Sequence, residues 1–194
     1  MSTRVEQREQ TRRALLAEGR RRFAADGYHA VVFDDVAKAV GVTKGAAYHH
    51  FGSKAGLFTA VVRETQEELG TRVAAAADAV ADPWDSFVAG CRAFLAAGAD
   101  PEIRRIVLVD APAVLGWNEW RDMDDAASAR HLREALCGLM SAGVIASGPV
   151  TPIARLLSGA MNEAALWLAQ EPDDASLDET AAALEGLLAG LRIP

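Results

Sequence analysis

Cysteine is almost absent: Cys91 and Cys137 are the only two in 194 residues. Two thiols cannot build a disulfide framework, and by themselves they cannot complete a zinc site. Proline is scarce, seven in all, so little interrupts long helices. No apolar run approaches the ~20 residues that a membrane-crossing helix needs. Residues 1–13 are polar and charged, unlike a secretory signal. Lysine is nearly missing, and Lys38, Lys44 and Lys54 all lie near the start. Tryptophan is missing from the same region: Trp84, Trp117, Trp120 and Trp167 all come later. These absences leave a soluble, cytoplasmic, helical protein with no membrane contact as the expectation.

Alanine fills the space: 40 residues, about a fifth of the chain. It is the best helix former, and few segments favour strands, so an all-α fold is predicted. The length suits one ordinary domain or two small ones. Charge is divided unevenly. Residues 1–63 hold 11 Lys and Arg against 6 Asp and Glu, while residues 64–194 hold 9 against 21. A basic head on an acidic body implies that only the head meets a polyanion.

Periodicity and caps predict about nine helices. The first covers residues 6–25 and is closed by Gly27. Asp34 is expected to cap a short helix ending near Val40, and Thr43 to cap another over residues 44–50. Ser53 caps a long helix from Lys54 to about Ala81. Asp82-Pro83 and Asp100-Pro101 open two more, since proline suits a first helical turn. Pro112 and Gly116 are expected to break the second of these. One helix is then predicted over residues 118–142, one from Thr151 to Gln170, a polar loop over 171–176, and a last helix over 177–191.

Function concentrates in residues 33–54, which read FDDVAKAVGVTKGAAYHHFGSK. Two short helices joined by a turn containing Gly41 make a helix-turn-helix pattern. The second helix begins with Gly45, Ala46 and Ala47, small enough for close approach to base edges in a major groove. Lys44 can reach a guanine edge or a phosphate. Tyr48, His49 and His50 offer donors, and the start of the next helix, at Lys54, favours phosphate. No nucleophile–base pair and no metal-ligand spacing stands out, so no catalytic residue, metal or cofactor is expected.

This stretch resembles the TetR family of bacterial transcription regulators. The match runs from Thr11 to about Val62. Its most specific parts are Asp35-Val36-Ala37, Gly41-Val42-Thr43-Lys44-Gly45, Tyr48-His49-His50-Phe51, and Lys54 with Leu57 and Phe58. The resemblance implies a three-helix DNA-binding head (residues 1–52) and a ligand-binding, dimerising helical body (residues 53–194). It also implies a homodimer on a palindromic double-stranded operator, and no catalytic activity. Thr43, Lys44, Gly45 and Ala46 match the base- and phosphate-contacting start of the recognition helix. Tyr48 and His49 match its phosphate-contacting pair, and Lys54 the phosphate-binding lysine just after. Phe33 departs from the pattern: it stands where the family often has a Ser or Thr that caps and touches phosphate. Tyr48 and Phe51 also admit plain core roles, and one of His49 and His50 is expected to be merely solvated. So are two of Arg20, Arg21 and Arg22.

The body says less. The resemblance implies a pocket for a small hydrophobic ligand. Phe87, Cys91, Phe94, Val107, Trp117, Trp120, Met123 and Trp167 are candidates to line it, with ordinary core packing as the alternative. The carboxylates Glu119, Asp122, Asp124 and Asp125 are read as a solvated face, since Asp122, Asp124 and Asp125 do not share one side of a helix. Glu163 is open between burial and solvent. Apolar stripes through Ile153, Leu156, Leu157, Ala160, Met161, Ala164 and Leu168, with the small residues Ser158, Gly159, Ala165 and Ala169 beside them, and through Leu184, Leu187, Leu188 and Leu191, predict a four-helix dimer interface. The function expected is a ligand-released repressor. An activator, an enzyme using the 119–125 carboxylates with a divalent metal, and a helical interaction module without DNA binding are the rivals.

Overall fold

A computed structural model describes residues 3–168 and 174–193. Helix α1 (Arg4–Ala30) opens with a reciprocal cap, in which the Thr3 hydroxyl accepts from the Glu6 amide at 3.2 Å and the Glu6 carboxylate accepts from the Thr3 amide at 2.7 Å. Gly27 interrupts it with φ 77°, and one further turn runs to Ala30. A side chain at Gly27 is doubly excluded. The backbone is left-handed, and a Cβ there would lie 2.1 Å from Arg105 Nη2.

Helices α2 (Phe33–Ala39) and α3 (Lys44–Phe51) follow, turned at Gly41. Asp34 does not cap α2 as expected. The N-cap is Val32, with no side-chain cap, and the Asp34 carboxylate pairs with Lys44 instead. Thr43 does cap α3, accepting from the Ala46 amide at 3.2 Å, and Ser53 caps α4 (Lys54–Asp78) through the Gly56 amide at 3.0 Å. The Phe51 carbonyl comes so near Gly56 that a Cβ there would lie 2.0 Å from it.

In the body, Asp82 caps α5 (Pro83–Gly98) and Asp100 caps α6 (Pro101–Ile103). The next residues, Arg104–Asp110, wind as a π-helix whose wide turns lead directly into α7 (Ala111–Leu115). Pro112 therefore does not break the chain direction: it sits in the first turn of α7, where no amide is needed. Gly116, with φ 83°, makes the break.

The single helix predicted over 118–142 is two, α8 (Trp117–Ala126) and α9 (Ser128–Ser141). They are divided at Ala127 (φ −113°, ψ −109°). A buried polar network holds the division. Arg121 Nη1 donates to Asp124 Oδ2 at 2.8 Å and to Ser158 Oγ at 3.0 Å, and Ser128 donates to Asp124 Oδ1 at 2.7 Å. Helix α10 (Val150–Leu168) supplies Ser158, and α11 (Asp174–Ala189) closes the fold. The expected end at Gln170 and the loop up to residue 173 lie outside the described residues. Past α11, the Ile193 amide donates to the Val144 carbonyl at 3.1 Å, tying the last residues to the α9–α10 connection.

One apolar core runs from head to body. Phe23 of α1 meets Phe58 of α4 edge-on at 5.0 Å, and α4 packs along α5 and α9. Polar ties reinforce this junction. Arg20 reaches Glu68 of α4 at 2.7 Å and Glu102 of α6 at 2.5 Å, and the Tyr28 amide donates to Asp110 Oδ2 at 2.8 Å. Arg21 and Arg22 both pair with Glu18, so none of the three adjacent arginines is merely solvated.

Candidate nucleic-acid interface and ligand cavity

The first turn of α3 is presented outward. Thr43, Lys44 and Gly45 are exposed, Ala46 is half-buried, and the buried Ala47 anchors the helix to the core. Around Gly45 the space is open for 4 Å. Lys44 donates to Asp34 Oδ2 at 2.7 Å and lies 5.4 Å from the Tyr48 ring centre. The Asp34 carboxylate is the main cause of a raised Lys44 pKa.

Tyr48 and His49 are exposed on the same helix. Phe33 is buried and meets the Tyr48 ring edge-on at 4.9 Å. The aromatic departure at position 33 thus forms a shelf for Tyr48. His50 is half-buried, and burial, then nearby Arg8, His49 and Arg12, lowers its pKa.

Lys54 sits differently from the expectation. Its ammonium donates to the carbonyls of Tyr28 at 2.9 Å, His29 at 3.3 Å and Val31 at 2.9 Å. It also lies 4.4 Å from the Tyr28 ring centre. All three N–H donors are engaged with the end of α1, where carbonyls lack helical partners. No sequence signal marks this contact, because its partners are more than twenty positions away.

Helices α4, α5, α9 and α10 line a partly open cavity of about 310 Å³. Phe87, Cys91 and Phe94, three of the pocket candidates, are among its lining residues, with Leu132, Leu139 and Met161. Asp78, Ser86 and His131 are its polar lining residues. Burial pushes the Cys91 thiol up to about 12, so it stays protonated and unreactive.

The other pocket candidates are corrected. Val107 is buried in the core, and Trp120 is buried against Trp117 at 4.9 Å. Trp117 is 60% exposed, with Arg121 5.5 Å from its ring centre, and Trp167 is 46% exposed. Met123 lines a separate cavity between α4 and α8. Aromatic composition does not show whether a ring faces a void, the core or solvent.

The predicted interface stripes divide between the protomer's core and its surface. Met161, Ala165, Leu168, Leu184 and Leu188 are buried within the protomer, and Leu157 is half-buried and packed on the same core. Leu156, Ala160 and Leu187 of the same stripes lie on open faces. Leu156 is 74% exposed on α10, with Gly159, Ala160, Glu163 and Trp167 beside it. On α11, Leu187 is 70% exposed, beside Ala183, Gly186 and Gly190. The acidic run divides as well. Asp124 is buried on Arg121, Asp125 pairs with Arg133 and Arg155, and Glu119 and Asp122 are exposed.

A capped helix-turn-helix rooted in a helical body is the architecture of a DNA-binding transcription regulator. Residues 15–61 match the model of bacterial regulatory proteins of the tetR family, and residues 84–191 match a tetracyclin repressor-like C-terminal domain. The second match alone spans more than half of the chain, and the chain belongs to the TetR family. It is similar over 100% of its length, at 38% identity and TM-score 0.82, to a TetR-family transcriptional regulator from Pectobacterium atrosepticum, 99% of which is covered.

Among curated proteins, it is 40% identical over 58 residues to the HTH-type transcriptional repressor Rv1474c of Mycobacterium tuberculosis, covering 30% of this chain and 31% of that one. It is 28% identical over 109 residues to the transposon Tn10 TetC protein of Escherichia coli, covering 56% and 55%. The chain thus spans about a third to a half of the curated relatives it matches. Family and relatives are transcription regulators, not enzymes. Among the described residues no helix is long and apolar enough to cross a membrane.

Proposed function

We propose that the protein is a homodimeric repressor that binds a palindromic operator in the cytoplasm and is released by a small apolar ligand. The observation that carries this reading is the exposed, Thr43-capped first turn of α3, with Lys44, Gly45 and Ala46 at its start. Residues 1–52 act as the DNA-binding head and residues 53–194 as the ligand-binding and dimerising body. In a dimer, two such turns enter successive major grooves ~34–36 Å apart. Thr43, Lys44, Gly45 and Ala46 meet bases and phosphate there, while Tyr48 and His49 hold phosphate. Lys54 acts mainly by fixing the end of α1 beneath α3, and contacts phosphate only where it gives up a carbonyl.

The two subunits meet through the open faces of α10 and α11. Their small residues permit close helix approach, and Leu156, Trp167 and Leu187 supply apolar area. The ligand occupies the cavity between α4, α5, α9 and α10, and lowers DNA affinity by the ratio of its affinities for the two head spacings.

Binding of the purified protein to genomic fragments, including its own promoter region, followed by footprinting, tests the reading. A protected palindrome is expected. Absence of any protected site at low salt, with the protein folded, dimeric and washed free of ligand, overturns it.

A further inference from the structure

The head carries a row of positive charge that α3 does not account for. Helix α1 holds seven arginines, and four of them are paired. Arg13 meets Glu9, Arg20 meets Glu68 and Glu102, and Arg21 and Arg22 both meet Glu18. The other three are Arg4, Arg8 and Arg12, all exposed. Among the described residues no carboxylate forms an ion pair with them. Their spacing of four places them along one side of the helix, where like charges repel.

The segment that carries them buries nothing of its own. Residues 3–10 are all exposed, and Leu15 is the first buried side chain of α1. About two turns of helix therefore stand clear of the core. A helix that is polar on every side needs some support other than packing. The reciprocal cap of Thr3 and Glu6 and the Arg13–Glu9 pair keep this one wound, but neither relieves the repulsion along the arginine side. The row also adjoins the surface described above. Arg12 lies 5.7 Å from the ring centre of Phe51, the last residue of α3. The charges of Arg8 and Arg12 reach His50, whose ring centre is 6.1 Å from that of the exposed His49. From Arg4 to Arg12 the row measures about 12 Å. One DNA strand carries a phosphate roughly every 3.4 Å of its axis, so a row of this length can meet more than one.

We infer that Arg4, Arg8 and Arg12 form a second phosphate-holding surface, which extends the operator contact from the end of α3 along the free turns of α1. Phosphates answer the three unpaired guanidiniums and remove their mutual repulsion. Such contacts fix the position of the head and add affinity on every sequence alike, without reading bases. The inference rests on the operator-binding reading given above.

The salt dependence of operator binding by the full-length dimer tests it. Each arginine that neutralises a phosphate contributes ~0.9 to the slope of log K against log salt. Arg4→Gln with Arg8→Gln should therefore flatten the slope by about 3.6, two contacts in each subunit. The same variant should melt no lower than the native chain, since it loses no packing and sheds like charge. Arg12→Gln should remove about 1.8 more, while Arg12→Lys, which keeps the charge, should not. Discrimination between the operator and a version with one base pair changed should be the same in all of them.

A fall smaller than about 1.8 in the double variant, less than one contact per subunit, overturns the inference and leaves the repressor reading intact. Altered discrimination between the two operators also overturns it, because the arginines would then be reading bases. If the native chain itself binds no operator, both readings fall together.

Discussion

Replacing Lys54 by Met keeps the aliphatic stem and removes the ammonium. Three carbonyls at the end of α1, those of Tyr28, His29 and Val31, then lose a common donor at 2.9, 3.3 and 2.9 Å. The Tyr28 ring loses a cation 4.4 Å from its centre. Hydrogen bonds to a charged group are worth roughly 1.5–3 kcal/mol, and the contributions share one cation and do not add. Lys54 is half-buried, and the freed carbonyls regain some water, so about 2 kcal/mol is the expected loss. For a chain of this size that lowers the melting temperature by ~4–8 °C.

DNA binding supplies the second readout. A lysine that neutralises phosphate contributes ~0.9 to the slope of log K against log salt, so a dimer using Lys54 twice would lose ~1.8. A staple of α1 predicts a nearly unchanged slope with weaker binding overall. Lys54→Arg should rescue the melting temperature only in part, because a planar fork cannot reach all three carbonyls. An unchanged melting temperature together with a fallen slope would refute the staple and restore the phosphate role.

Four further outcomes are expected. Hydrogen bonds from Arg21, then from Arg22, hold Glu18 at about 2, down from 4.5. Because its folded pKa is the lower one, its contribution is present above about pH 4.5 and is lost as pH falls toward 2. Glu18→Gln should therefore be destabilising at neutral pH and indistinguishable from the native chain near pH 2, as urea midpoints across that range will show.

Thiol labelling at pH 8 should modify exposed Cys137 promptly and buried Cys91 only on unfolding. Comparable rates at the two positions would contradict the enclosed, protonated thiol. A Cβ at Gly98 would lie 2.6 Å from Ala165 Cβ, so Gly98→Ala should cost roughly 1–3 kcal/mol by overpacking α5 against α10. Ala165→Gly in the same chain should recover part of it, and additive losses in the double variant would place the clash elsewhere. Leu187→Glu should leave a folded monomer in sedimentation velocity, while Leu184→Glu should unfold the chain. A dimer that survives Leu187→Glu would exclude the open face of α11 as the interface.

Features set by near neighbours along the chain were legible from the order of residues alone. The caps at Thr43, Ser53, Asp82 and Asp100 were legible because each oxygen serves an amide two or three positions away. The turn at Gly41 and the breaks at Gly27 and Gly116 follow from backbone angles that glycine adopts freely. The helix-turn-helix, and with it the family, was legible for the same reason. Its information lies in about twenty consecutive residues.

Even locally, competition upset one expectation: Asp34 left the end of α2 for the charge of Lys44. The tertiary structure decided whatever depends on partners far along the chain. Residues 118–142 carry an unbroken helical pattern, yet they divide at Ala127, beside a buried network in which Arg121 and Asp124 meet Ser158 of another helix and Ser128 bonds Asp124. Lys54 reads as a phosphate ligand until the end of α1 is folded against it. An apolar stripe states that a helix face leaves water, not what it leaves water for. Met161 therefore faces the cavity, Leu184 and Leu188 fill the protomer's own core, and the open faces are those of Leu156 and Leu187.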